Sequence, residues 1–399
     1  MLLGVDISRL VGPRTGVGRY LEFLLEEWSA GPMPFDRVRL FSPEQVSGLP
    51  DDERFQLVES LGGRRGIAWQ ATKLRRATRG LDVLFAPYVL PPGYRGRAVV
   101  ATLGILEGAY AHASLRSRSR GLHAALSARR ADVVLVHSAN TREDVIRHYR
   151  VPPERIELIH LGVTKRFRPG TDADRIAAAA FVEHLTGSPL PYLLFVGKLS
   201  RRRNVPLLLE ALARLDPSAY QLLLVGPNTG TPSLSAVVSR LRLEGRVHHV
   251  PHLDQGALAI LYRGARAFVL LTEHEGFSAT ILEALASGCP VLTFKHEALH
   301  EADVGRAVLT VARLDPAAVT DAVLELERDD DLRMRLRREG LRVAASLTFR
   351  ETARRTMEVL ARVAERSKPE PVGAERDEVA AAAAPHRDPL RPTVPVEPR

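Results

Sequence analysis

Cysteine is nearly absent from this chain: one residue, Cys289, in 399. That excludes an internal disulfide and suits a reducing, cytoplasmic compartment. Its setting in an apolar Gly-Cys-Pro turn reads as a small core residue. No run of 18 apolar residues occurs, so no membrane-crossing helix is expected. The opening Met-Leu-Leu-Gly-Val-Asp has neither a basic n-region nor a cleavage site, and reads as a buried strand rather than a signal peptide. Aromatic residues are few, at 6%, and are not interleaved with arginines, which argues against a stacking surface for nucleic acid. Acidic residues are missing from two stretches. One lies between Glu59 and Asp82, where Arg64, Arg65, Lys73, Arg75, Arg76 and Arg79 occur. The other lies between Glu107 and Asp132, where Arg116, Arg118, Arg120, Arg129 and Arg130 occur. The net charge of +9 points to an anionic partner, and these two stretches place that preference in the first half.

What is present is an alternation of short apolar runs with amphipathic stretches. Strands are predicted at 2–5, 38–41, 83–85, 98–103, 133–136 and 156–159, with a helix at 17–28. An irregular connector around 167–174 contains Pro169 and Gly170. The pattern then restarts, with strands at 192–196, 221–225, 247–250, 267–271, 291–294 and 308–311. Helices are predicted at 205–215, 234–243, 258–263, 279–287, 317–326, 330–345 and 349–363. Continuous apolar strands between helices indicate parallel sheets covered on both faces. Two such arrays imply an α/β protein with two doubly wound sheets and a ligand cleft at the strand C-termini. From about Ser367 prolines and alanines dominate, and that composition cannot bury enough surface to fold.

Three segments carry candidate chemistry. The first is Gly12-Pro-Arg-Thr-Gly16-Val-Gly18-Arg-Tyr20, between the first strand and first helix. Gly16 and Gly18 let a backbone approach a ligand at a helix N-terminus, or make only a tight turn. A dinucleotide fingerprint fits poorly, because Leu21 stands where the third glycine is needed. The second is Phe195-Val-Gly197-Lys198-Leu-Ser-Arg-Arg-Arg203-Asn204, a strand ending in glycine followed by four cations. Such a cluster suits a diphosphate, and arginine can bind it bidentately; a solvated basic loop is the plainer alternative. The third is Glu275-Gly-Phe-Ser-Ala-Thr-Ile-Leu-Glu283. A helix N-terminus offers free N–H groups to phosphate. Glu283 lies among Ile281, Leu282 and Leu285, and an acid in that setting costs free energy unless it is paired or bound.

These segments, in this order, resemble the retaining glycosyltransferases of family 4, with the GT-B fold. Thr15-Gly-Val-Gly-Arg-Tyr20, Arg130-Ala-Asp-Val-Val-Leu-Val136, Val151-Pro-Pro-Glu-Arg155, Phe195-Val-Gly197, the Glu275/Glu283 pair and Gly288-Cys-Pro-Val291 carry the resemblance over about residues 1–365. It implies two Rossmann-like domains facing a cleft: 1–168 for the acceptor and 169–348 for the nucleotide sugar. A helix at 349–366 would cross back to the first domain, ahead of a disordered tail at 367–399. By position, Gly16, Val17 and Gly18 would lie near the donor diphosphate, and Gly197, Lys198 and Arg203 would bind it. Glu275 would contact the donor hexose, Gly276, Phe277, Ser278 and Ala279 the sugar and phosphate, and Glu283 the ribose. Val250 and Leu253 would flank the base. Glu275, Lys198 and Arg203 would be the catalytic set, with no metal and no cofactor beyond the donor.

The resemblance further implies front-face retention. The donor would be GDP-mannose or a UDP-hexose, with mannose favoured by the Thr15–Tyr20 motif. The acceptor would be a glycan or a lipid-linked molecule, in cell-surface polysaccharide or glycolipid synthesis. The enzyme would work in the cytoplasm; the two basic stretches suit the inner face of an anionic membrane or a lipid-diphosphate acceptor, and a solvated arginine-rich face is the plainer alternative. The chain departs from the family pattern at defined places. After the strand at 98–103 it reads Thr102-Leu-Gly104-Ile-Leu-Glu107, where family members have His-Asp. His137 stands where a small residue is usual, and is expected to be structural. Ser278-Ala279-Thr280 replaces Gly-Leu-Pro. The missing His-Asp supports a second reading, a protein that binds nucleotide sugars without transferring them.

Overall fold

The structure is a computed structural model that describes residues 1–12, 14, 16–58, 66–104, 115–228, 233–273 and 275–366, without the side chains of 115–117 and 201. The expected tail at 367–399, Arg64, Arg65 and the 105–107 departure lie outside the described residues.

The first sheet has seven strands: β1 Leu2–Asp6, β2 Arg37–Phe41, β3 Phe55–Val58, β4 Val83–Pro87, β5 Ala98–Thr102, β6 Val133–Val136 and β7 Ile156–Leu158. Their order is 3-2-1-4-5-6-7, and every pairing is parallel. The second has six: β8 Tyr192–Val196, β9 Gln221–Val225, β10 Val247–Val250, β11 Ala267–Leu270, β12 Val291–Phe294 and β13 Leu309–Val311, in the order 10-9-8-11-12-13. These pairings are parallel as well. The central strands β4, β5, β8 and β9 are buried along their whole length, which is why they read as unbroken apolar runs.

Strand order reverses between β1 and β4, and again between β8 and β11. Loops on opposite sides of such a switch point part and leave a crevice at the strand C-termini. All three candidate segments follow switch-point strands: β1, β8 and β11.

Helix Phe349–Glu365 returns to the first sheet's helices. Trp28 Nε1 donates to the Ala353 carbonyl at 3.0 Å, and the Phe349 ring lies 5.1 Å from that of Phe23. Val163 and Thr348 form a parallel bridge, and the Gly162 N–H donates to Thr352 Oγ1 at 2.9 Å. Only glycine fits at 162, since a Cβ there would stand 2.0 Å from the Thr348 carbonyl carbon.

Several elements were not anticipated, among them helix Ala139–Asp144 and the turn Glu297–Ala307, and two show why. The connector predicted around 167–174 runs into a helix, Asp172–Thr186. Its alanine-rich sequence buries only Ala178 and Val182, so its apolar periodicity is faint. It is fixed instead by a reciprocal cap between Thr171 and Asp174. Strand β3 was not anticipated either. It is an edge strand with no fully buried residue, and apolar patterning is weak there.

Candidate active site

The loop after β1 leads into helix Gly16–Ser29. Gly16 faces open space, whereas a Cβ at Gly18 would meet the Arg9 carbonyl oxygen at 2.8 Å. Val17 is half-buried between them. The close approach at Gly18 seats the helix start against the turn Ser8–Leu10 that follows β1.

The loop after β8 is built around Gly197, whose φ of +144° suits glycine. The Arg203 guanidinium lies directly over it, so that a Cβ at 197 would stand 1.6 Å from Nη1. Asn204, at positive φ, donates from Nδ2 to the Leu271 carbonyl at 2.9 Å and ties this loop to the end of β11. Arg203 Nη2 sits 3.2 Å from Glu275 Oε1, an ion pair without hydrogen-bond geometry, and Arg202 Nη2 is 3.9 Å from the same oxygen. Arg203 Nε and Nη1 are buried with no hydrogen-bond partner. Burial lowers the Arg203 pKa and Glu275 opposes that shift. Lys198 is exposed and stands outside this contact.

Gly276 lies close against residues of the first array. A Cβ there would be 2.9 Å from Thr141 Oγ1 and 3.1 Å from the Leu103 carbonyl oxygen. Asn140 Nδ2 donates to the Glu275 carbonyl at 3.2 Å, and the Phe277 and His160 rings lie 5.5 Å apart. Glu301, from the second array, accepts from the N–H groups of Ala139 and Asn140 and is 3.5 Å from His160 Nδ1. Helix Ala279–Ala286 follows, and Ser278 places no side-chain cap on it. Only Gly276, Phe277 and Ser278 separate the helix from Glu275, which puts its N-terminal end beside that segment in the chain.

Glu283, one turn further along, is 4% exposed. Arg19, from the helix after β1, donates to Oε1, and Tyr262 OH donates to Oε2 at 3.3 Å. Burial raises the Glu283 pKa, and the Arg19 charge opposes the rise. Val250 and Leu253, both half-buried, lie at and beyond the end of β10, two strands from β8.

The fold thus brings Gly197, Arg203, Glu275 and Gly276 together, with Phe277, Ser278 and Ala279 leading into the helix that carries Glu283. Sequence reasoning missed Arg19, Tyr262, Asn140 and Glu301. Arg19 had a signal: an acid on an apolar helix demands a cation, and Arg19 stands inside the glycine motif. The other three had none. His137 does not reach the cleft. It is 1% exposed, its Nδ1 is 2.7 Å from the Ile159 carbonyl, and burial pushes its pKa down to about 4.

Two family profiles match in succession along the chain: Glycosyltransferase Family 4 over residues 14–166 and Glycosyl transferases group 1 over residues 179–343. The chain belongs to the group 1 glycosyltransferases, with the GT-B fold. D-inositol 3-phosphate glycosyltransferase of Corynebacterium glutamicum (strain R) is 27% identical over 235 residues, 56% of this chain and 55% of that protein. O-antigen chain mannosyltransferase B of Escherichia coli is 27% identical over 247 residues, 61% of this chain and 63% of that protein. The chain therefore spans between half and two thirds of the length of these relatives. Among solved structures, Anabaena HepE in complex with UDP-glucose has a TM-score of 0.72 at 16% identity, over 91% of this chain and 100% of that one, a likeness of fold.

Proposed function

We propose that this protein is a retaining glycosyltransferase that moves a hexose, mannose favoured, from a nucleotide diphosphate sugar to a glycan or lipid-linked acceptor. One observation carries the proposal. Arg203 is held over Gly197 with two guanidinium nitrogens buried and unpartnered, beside the carboxylate of Glu275. Buried donors without acceptors are costly, and an arginine so placed suits an anion such as diphosphate. The group 1 relatives and the UDP-glucose complex of HepE support a nucleotide-sugar donor, and the E. coli relative's name supports mannose.

In this proposal the diphosphate lies between Gly16 and Gly197, on Arg203 and Lys198 and the N-terminus of helix Ala279–Ala286. Charge developing on the leaving nucleoside diphosphate is offset by those groups, so no metal is called for. Glu275 holds the hexose. The acceptor hydroxyl forms the new bond to the anomeric carbon on the face from which the diphosphate oxygen departs, and its proton passes to that oxygen. No protein nucleophile takes part. Replacing Glu275 by Gln is expected to abolish transfer with the fold unchanged by circular dichroism; unaltered turnover would refute the assignment. The sequence at 102–107 favours a second reading, donor binding without transfer. Calorimetric binding with no hydrolysis or transfer across a broad acceptor panel would select it.

The first array also carries a face suited to an anionic membrane at the cytoplasmic side. Helix Leu115–Arg130 contains no acid and exposes Leu122 (61%) and Leu126 (52%) one turn apart. Arg118, Arg120, Arg129 and Arg130 are exposed on the same helix. Exposed apolar side chains among cations suit an anionic lipid surface. Vesicle flotation should show binding that needs anionic lipid and weakens with salt; no binding at any salt concentration counts against it. No described helix is long and apolar enough to cross a membrane.

A further inference from the structure

Glu283 is held from two directions. Arg19 reaches Oε1 from the helix that follows β1, and Tyr262 reaches Oε2 at 3.3 Å from helix Gln255–Gly264. The side chains of Arg19 and Glu283 are 18% and 5% exposed. An ionised carboxylate offers about four acceptor positions. Arg19 and Tyr262 fill one on each oxygen, which leaves one on each. Two acceptors on one carboxylate match the two hydroxyls of a vicinal diol.

We propose that Arg19 is a positioning residue for the donor, aiming Glu283 so that its two remaining acceptor positions meet the ribose diol. This rests on Glu283 being the ribose acid of the proposed function. Arg19 stands in the first array and Glu283 in the second, so the acid is aimed only when the two are in contact. Ribose recognition is thereby tied to that contact. The groups facing this cluster are few. Glu22 acts on Arg19 from the same helix, and Cys289 and Arg203 act on Tyr262. Arg19 is the cation in hydrogen-bond contact with Glu283. Burial favours the protonated acid, and Arg19 opposes it. Without Arg19, Glu283 loses both the donor that aims Oε1 and the charge that opposes the cost of its burial.

The test is calorimetric titration of GDP, UDP and their 2′-deoxy counterparts into the full-length protein. Wild type is expected to prefer the ribonucleotide by about 10- to 100-fold, the worth of one hydrogen bond to a charged acceptor. In Arg19→Gln the preference should shrink to about threefold, the worth of a hydrogen bond to an acceptor that is no longer aimed. Should that variant fail to fold, Tyr262→Phe removes only the hydroxyl on Oε2 and should reduce the preference in part. A preference unchanged in Arg19→Gln, with both nucleotides weakened alike, would make Arg19 a mere bridge and overturn the proposal. Tighter binding of both forms would make it a plug, and overturn it equally. If wild type binds the ribo and deoxy forms alike, or neither, the assignment of Glu283 to ribose falls first, and this inference with it.

Discussion

Glu275 and Glu283 are the same residue type, eight positions apart, yet the fold treats them oppositely. Glu275 sits at a loop with an incomplete partner: Arg203 is 3.2 Å away without hydrogen-bond geometry and has two nitrogens to spare. Glu283 sits on a helix with a donor on each oxygen. The difference separates two tasks. An acid beside an under-satisfied cation can meet groups whose charge changes during a reaction. An acid fixed on both oxygens can recognise a group that does not change.

The largest effect expected from this contrast is at Glu275. Its replacement by Gln should lower kcat by about a thousandfold, with donor affinity changing far less. The matching change at Glu283 should raise the donor KM by about 10- to 100-fold and leave kcat closer to wild type. Steady-state kinetics on both variants would break the contrast if the two patterns were reversed.

A smaller effect is expected from Gly197→Ala. The new Cβ would fall on Arg203 Nη1, at a φ that side chains rarely adopt, and would push the guanidinium off the loop. Donor binding should weaken by about tenfold or more, because a charged hydrogen bond of roughly 1.5–3 kcal/mol is lost. A structure of the variant with Arg203 unmoved would contradict this account of the loop.

His137 sharpens the contrast, since it is buried with no partner on Nε2. Its pKa in the folded protein, about 4, lies below the ordinary 6.5. The unfolded chain therefore takes up the proton first as pH falls. The stability tied to neutral His137 is full above about pH 6.5 and is lost between there and pH 4, by about 3 kcal/mol. Urea unfolding of wild type and His137→Gln at pH 7.5 and 4.5 should show the variant's pH dependence flattened by that amount. Equal slopes would mean that His137 does not titrate in this range.

Much of this was legible in the sequence where burial is strong. Fully buried strands such as β8 and β9 announce themselves as apolar runs, and glycines before helices mark the loops that follow β1 and β8. The helix Asp172–Thr186 was not legible by periodicity, because alanines serve both its faces and only its cap is distinctive. At the site, the order of motifs marked Gly197, Arg203, Glu275 and Glu283. It could not mark Tyr262, whose contact depends on how two helices of the second array pack, or Asn140, whose contact depends on how the two arrays meet. Arg19 lay between: the chemistry of a buried acid asked for a cation, but only the fold names which one.

The central claim is that Arg203, Gly197 and Glu275 form the anchor of a nucleotide-sugar site. Calorimetric titration of UDP-glucose and GDP-mannose into wild type and Arg203→Ala tests it most directly. Saturable one-to-one binding of at least one of these donors to wild type, weakened by about tenfold or more in the variant, is the predicted result. Binding of neither donor to wild type, or equal binding by both proteins, would contradict it.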